Sequence, residues 1–506
     1  MRVWHKAFFF QYEVEKKLQG ITSLAGLPLY LELAHSMGLG RLIGEHVVAR
    51  EGDQGWTDEQ MIMALVLLNL AGGDCVDDLR VLEGDEGLCQ VLREVEFCGK
   101  TGSEKRAIKR RWRKERTRTF PSPTAGREYL ELFHDPEQEQ HRKPHEAFIP
   151  EPSALLSALV LLNGAFAAAM QRRSPQREAT LDMDATLVET FKKAALYCYK
   201  KFKAYQPLNV YWAEQGLMLF SEFRDGNVPA DYDLLRCFKQ ALALVPAGVK
   251  KVYLRSDTAA YVVELLKYCA EGKNDRFRVI EFAIGVPVTE AFRVAVHEVP
   301  ESEWHRLFRM VDGKRVDTGQ QYAEVCFVPN WMAAKKDGPS YRYVAIREAL
   351  EQQALSGMED QLALPFPTMD WGGVRYKVTG MVTNRDLPAD ELIWWYRGRC
   401  GKSEEAHSIM KADLAGGKLP SGLFGANAAW WQIMILAFNL NSAMKRLVLG
   451  AGWVNRRLKA IRFGLINLPG RVLERGRQLF IRLAEGHPSN KMLIEARRRM
   501  LCFGSG

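Results

Sequence analysis

The stretch TLDMDATLVET, residues 180–190, sets two carboxylates, Asp182 and Asp184, among the apolar residues Leu181, Met183, Ala185 and Leu187. A period of two puts both acids on one face of an expected strand. Burying like charges side by side is costly unless something positive joins them. A third acid, Asp257, closes the strand-like run VKKVYLRSD. Further on, SEEAHSIMKADL repeats Glu404, His407 and Lys411 at helical spacing. Three converging carboxylates make a cage of hard oxygen ligands suited to two Mg²⁺ (or Mn²⁺) ions. Such ions, roughly 3.5–4 Å apart, clamp the attacking and leaving oxygens of an in-line phosphoryl displacement.

Each acid also has a duller explanation. The strand aspartates could face solvent, Asp257 before Thr258 could cap a helix, and Glu404 could sit on a helix surface. Their joint order favours the metal-binding reading. The tripeptide Gly401-Lys402-Ser403 is not a phosphate loop, because that motif needs a glycine at position 396, where Tyr396 stands.

The elements around these residues follow a definite order. After an apolar helix from Ala154 to Met170 come three strand-like runs, TLDMDATLVE, PLNVYWAE and LMLFSEFRDG. Gln215-Gly216 joins the second and third as a hairpin. The helix ADYDLLRCFKQALALV leads to VKKVYLRSD, and TAAYVVELLKYCAEG leads to RFRVIEFAIGV. The order βββαβαβ predicts an antiparallel trio followed by crossover units, a mixed sheet flanked by helices. In it the strands of Asp184 and Asp257 can be neighbours, and ligands favour such carboxyl ends. Residues 1–150 read as helical, with a cap at Thr57 or Asp58 and a stop at Gly72-Gly73. Residues 151–275 carry the first part of the core, 276–385 a β-rich insertion, and 386–506 a helical remainder with a basic end.

The chain has 506 residues, and its 47% hydrophobic content is enough for sizeable cores. The net charge of +9 leans toward a polyanionic partner. Nine Lys or Arg fall between Lys105 and Arg118, with Trp112 among them. Such a run, including Arg110, Arg111, Arg113 and Lys114, can track a phosphate backbone. The nine cysteines form no CxxC pair, which fits a reducing cytoplasm rather than a disulfide framework or a zinc site. The apolar segments 154–170 and 428–440 are interrupted by Ser157, Asn163, Gln432 and Asn439 and read as core helices, so no membrane partner is expected. Trp394-Trp395 and Trp430-Trp431 read as core, while Trp331 and Trp371 are candidates for stacking on a base.

Taken together, DMDAT, YLRSDTAAY and WWYRGRCGKSEEAHSIMKADL resemble the DDE transposases of bacterial insertion sequences. The branch in question has a ribonuclease-H-like core interrupted by a β-rich insertion before its glutamate. The resemblance implies an α/β fold of that kind, with Asp184, Asp257 and Glu404 as catalytic metal ligands for two Mg²⁺ or Mn²⁺ ions. The small residue and threonine after the first catalytic aspartate match Asp184-Ala185-Thr186 rather than Asp182. Tyr396, Arg399 and Lys411 fit positions that contact DNA phosphates or the glutamate helix. The gap between arginine and glutamate is one residue longer than in the family, with Ser403 standing where the motif has its acid. Glu405 therefore stays open beside Glu404.

The implied activity is cut-and-paste transposition by a homodimer that joins element ends to target DNA, both double-stranded, in the nucleoid-associated cytoplasm of a bacterium. A metal-dependent nuclease that does not integrate, and a domesticated DNA-binding protein without activity, are the alternatives.

Overall fold

The computed structural model describes residues 20–98, 100–112, 115–329, 331, 341–350, 366–476 and 478–505. Arg113 and Lys114 lie outside them.

Local chemistry sets the ends of the first helix of interest, α1 (Asp58–Ala71). Thr57 and Gln60 form a reciprocal capping box at its start, and Gly72 ends it at φ 101°. The apolar helix α2 (Ala154–Arg173) is capped by Ser153. By length and composition α2 could cross a bilayer, at mean hydropathy 1.7. In the fold its Leu159, Leu162, Phe166 and Met170 are buried in the main core, and its Asn163 donates to the Gln432 carbonyl.

Ten strands share one mixed sheet. In chain order these are β1 (Glu178–Ala185), β2 (Leu208–Trp212), β3 (Leu217–Glu222), β4 (Lys251–Ser256), β5 (Glu281–Val286), β6 (His305–Val311), β7 (Lys314–Val325), β8 (Arg342–Ala349), β9 (Thr368–Trp371) and β10 (Val374–Thr383). Across the sheet the order is β6-β7-β8-β10-β5-β4-β1-β2-β3, with β9 on β10. β1, β2 and β3 pair antiparallel, while β1–β4 and β4–β5 are parallel. The crossovers run through α3 (Leu234–Leu244) and α4 (Val263–Ala270). The strands of the 276–385 region continue this same sheet, because β10 pairs antiparallel with β5.

One part of the trio departs from expectation. Val188–Glu189, the end of TLDMDATLVE, leaves β1 and joins Leu196–Tyr197 and Lys203–Tyr205 in a separate three-stranded sheet. This small sheet fills the connection between β1 and β2. Its strands are two or three residues long, too short to leave an alternation in the sequence.

The helices that follow the sheet are α5 (Ala389–Arg397), α6 (Lys402–Ser408) and α7 (Phe424–Ala443). Every residue of α7 from Phe424 to Asn441 is buried, as expected of a helix apolar on all sides. Helices α2, α3 and α7 pack against the edge strand β3. Asn439 of α7 accepts from the Met218 amide at 2.8 Å and donates to its carbonyl at 2.9 Å, and Gln432 donates to the Ser221 carbonyl at 2.7 Å. Side chains thus satisfy an edge that would otherwise present unpaired backbone groups.

Candidate active site

Strand register decides the fate of the two strand aspartates. In the parallel pair β1–β4, Asp182 lies opposite Arg255. Arg255 grips its carboxylate with two bonds, Nε–Oδ1 at 2.6 Å and Nη2–Oδ2 at 2.8 Å. The third arm of Arg255 donates to the Trp395 carbonyl at 2.6 Å, fastening α5 to the sheet. Both side chains are buried. Asp182 is therefore a structural acid with a dedicated cation.

Asp184 has no such partner. It lies two residues nearer the carboxyl end, opposite Asn209 of β2. The last registered pair of β1 and β4 is Met183–Ser256, which leaves Asp184 and Asp257 as the next residues of two adjacent parallel strands. Burial pushes the Asp184 carboxyl up to about 6, and the Asp257 and Glu404 charges add to the rise against the pull of Arg399 and a Ser403 hydrogen bond. Asp257 also caps the turn Thr258–Ala260, accepting from the Ala259 amide at 3.0 Å. The capping role and proximity to Asp184 coexist in one residue.

Helix α6 covers this end of the sheet. Its Ser403, at the position where the family motif has an acid, donates to Asp184 Oδ2 at 3.1 Å. Ser403 and His407 are buried, Glu405 is half-buried and Glu404 is exposed. Glu404 contributes to the field on Asp184, whereas Glu405 acts on Tyr211 and Lys445. Beyond α6 the chain widens into a π-helical turn, Ile409–Asp413, that carries Lys411. Lys411 Nζ donates to Thr186 Oγ1 at 2.9 Å and to the Leu187 carbonyl at 3.2 Å, so it ties α6 to the segment after β1. Burial pushes the Lys411 ammonium down; Asp184 draws it back and Lys200 opposes it.

Arg399 and Tyr396 stand at the rim. The Arg399 guanidinium lies 5.6 Å from the Tyr396 ring centre and feels Asp184 and Asp257. Its buried Nε has no hydrogen-bond partner among the described residues. A Cβ on Gly285 of β5 would come within 3.1 Å of the Tyr396 hydroxyl and 2.9 Å of the Thr258 amide nitrogen. That glycine makes room for the tyrosine.

A buried relay that the sequence did not disclose follows the register of β1, β2 and β3. Trp431 Nε1 donates to Ser221 Oγ at 2.9 Å, and Ser221 Oγ donates to Asn209 Oδ1 at 2.6 Å. Asn209 Nδ2 then faces His407 Nε2 at 3.1 Å. Indole N–H can only donate, so each later group has its role set. His407 Nε2 accepts, Nδ1 carries the hydrogen, and Nδ1 lies 3.9 Å from Asp184 Oδ2. Burial, with Lys411 and Arg399, lowers His407 to about 3 and keeps the ring neutral.

Among the described residues, no three His, Cys, Asp or Glu side chains stand at metal-ligand spacing. The donor set still fits divalent cations. Asp184 is held ionised only against burial and two like charges, the condition that a hard cation on carboxylate oxygens relieves.

The other predicted contacts divide. Arg110 is exposed at the end of the helix Gly102–Arg110. Arg111 is engaged instead with the carbonyls of Gly55 at 3.0 Å and Gly52 at 3.0 Å. Trp112 packs edge-on against Trp56 at 5.0 Å. Trp371 stacks flat on His297 at 5.0 Å and lies beneath Arg347, inside an aromatic cluster. Trp430 and Trp431 are core residues.

A family described as transposase DDE domain group 1 matches residues 9–502. Among solved structures, the cryo-EM structure of a piggyBac transposase synaptic complex with hairpin DNA is similar over 89% of this chain and 88% of that chain, at 12% identity and a TM-score of 0.35. No curated protein matches significantly.

Proposed function

This chain belongs to the DDE-domain transposases, and from that premise we propose that Asp184, Asp257 and Glu404 are the metal-binding acids with which it cuts element ends and joins them to target DNA. One observation carries the assignment: Asp184 and Asp257 leave the carboxyl ends of adjacent parallel strands beneath the helix that bears Glu404. We read the order of β3-β2-β1-β4-β5, with its antiparallel trio and two crossovers, as ribonuclease-H-like. Two Mg²⁺ or Mn²⁺ ions bound by the three acids would supply an activated water, and then an activated DNA 3′-hydroxyl, for in-line displacement at phosphorus.

The chain's own residues do the rest. Arg399, whose guanidinium stands in the field of Asp184 and Asp257, would meet a phosphate oxygen there, with Tyr396 beside it. Ser403 orients the Asp184 carboxylate, and the His407 ring lies beside it at 3.9 Å. Lys411 keeps the segment after β1 against α6. Arg110 is a candidate for phosphate contact outside the pocket, and the partner is double-stranded DNA, at the element's ends and at the target, handled by a homodimer.

Replacing Asp184, Asp257 or Glu404 with Ala should abolish Mg²⁺-dependent cleavage of end DNA. Full activity in any one variant removes that residue from the site. Pre-cut ends with free 3′-hydroxyls should give joined products; cutting without joining identifies a nuclease instead.

A further inference from the structure

The small sheet between β1 and β2 has a surface unlike the rest of the site. From Thr190 to Ala213 the chain contains no Asp or Glu, yet it carries Lys192, Lys193, Lys200, Lys201 and Lys203. Aromatic rings stand exposed among these charges: Phe191 at 96%, Tyr197 at 63% and Tyr199 at 73%. Cys198 between the two tyrosines is buried, so the alternation turns both rings outward. Tyr197 pairs across the strands with Lys203, and Tyr199 lies beneath the ammonium of Lys200 at 5.7 Å.

Two features connect this surface to the pocket. Lys411 bonds to Thr186 and Leu187, the residues that lead into the sheet. The Lys200 charge in turn reaches Lys411. At the tip, Lys201 holds φ 64°, a left-handed conformation that glycine adopts at less cost. A charge is thus kept where a relaxed turn would use glycine.

Large exposed rings on a soluble surface need an occupant, and lysines without acids select an anionic one. Rings interleaved with cations match unpaired nucleotides, whose bases stack while their phosphates are neutralised. We propose that residues 190–203 hold an unpaired DNA strand where it leaves the cleavage pocket. Lys200 and Lys201 take its phosphates, and Phe191 and Tyr199 take its bases. The inference rests on the DNA-cutting role argued above and adds to it a strand-holding surface.

The test uses the full chain, without metal, and two fluorescent probes: oligothymidine and a blunt random-sequence duplex. A Lys200→Ala/Lys201→Gly double variant should flatten the dependence of log affinity on log salt for oligothymidine by about 1.4, roughly 0.7 for each lost phosphate contact. A Phe191→Ala/Tyr199→Ala double variant should weaken oligothymidine binding about five-fold or more and leave the duplex unchanged. An unchanged slope, unchanged oligothymidine affinity, or an equal loss on the duplex overturns the proposal. Because these readouts need no cleavage, a failure of the catalytic assignment shows separately, as full cutting by Asp184→Ala.

Discussion

Two aspartates separated by one methionine share a buried strand but not a partner. Asp182 is sealed in with Arg255, and removing it leaves a buried guanidinium without its counter-charge. Asp182→Ala should therefore cost about 3–5 kcal/mol of folding stability, measured by urea unfolding. Burial raises the carboxyl of both acids, but Asp184 has no arginine gripping it to set against that rise. The folded-state pKa of Asp184 is about 6, above the ordinary value near 4, so the fold favours the protonated form. The resulting penalty is absent at low pH, grows as pH rises through that interval, and is complete above pH 6. Its size is about 3 kcal/mol. Asp184→Asn should thus stabilise the metal-free protein at pH 8 and not at pH 4, and Mg²⁺ should narrow the gap at pH 8. Equal effects at both pH values would remove the electrostatic account.

The period of two in the sequence puts both acids on one face and goes no further. Choosing between them requires knowing that Asp182 registers with Arg255 on the next strand, a long-range fact that no local pattern carries. Family resemblance points to Asp184 through the residues after it, and the register shows that Asp182 is already taken by Arg255. Ser403 shows the limit in another way. By spacing alone its place in the motif is a misfit, yet its hydroxyl lies against Asp184.

At the scale of elements, the βββαβαβ order was legible because strands of five to eight residues leave clear alternation and Gly216 marks the hairpin at φ 68°. The two- and three-residue strands of the small sheet leave none. Nor could the relay through Asn209 and Ser221 be foreseen, since it exists only where three strands align. Element packing also makes a contrast between two glycines. Gly285→Ala pushes a methyl toward Tyr396 and the Thr258 amide, so it should reduce cleavage as well as stability. Gly216→Ala strains only a turn whose nearest neighbour is the Tyr211 hydroxyl at 3.5 Å. That change should cost about 1 kcal/mol and leave cleavage intact. Parallel thermal-melt and cleavage measurements on the two variants decide this, and matched losses of cleavage would count against the Tyr396 seat.

Across the whole molecule the first and last parts of the chain interlock. Ile21–Thr22 pairs with Gly470–Arg475. Tyr30 donates to Asn441 at 2.8 Å, and Asn69 donates to the Leu414 carbonyl at 2.9 Å. Helix α1 packs directly on α7. Residues 1–150 expressed alone would expose the apolar face that α7 covers, so they should show no cooperative thermal transition by circular dichroism. A sharp transition in that fragment would show that it has a sufficient core of its own.

The one-way hydrogen-bond chain from Trp431 to His407 has a further consequence for the reaction. With its lone pair turned inward to Asn209, the imidazole shows Asp184 a hydrogen and has no vacancy for another. It can steady a carboxylate, but it cannot strip a proton from an incoming water. Whatever accepts that proton is another group than this ring.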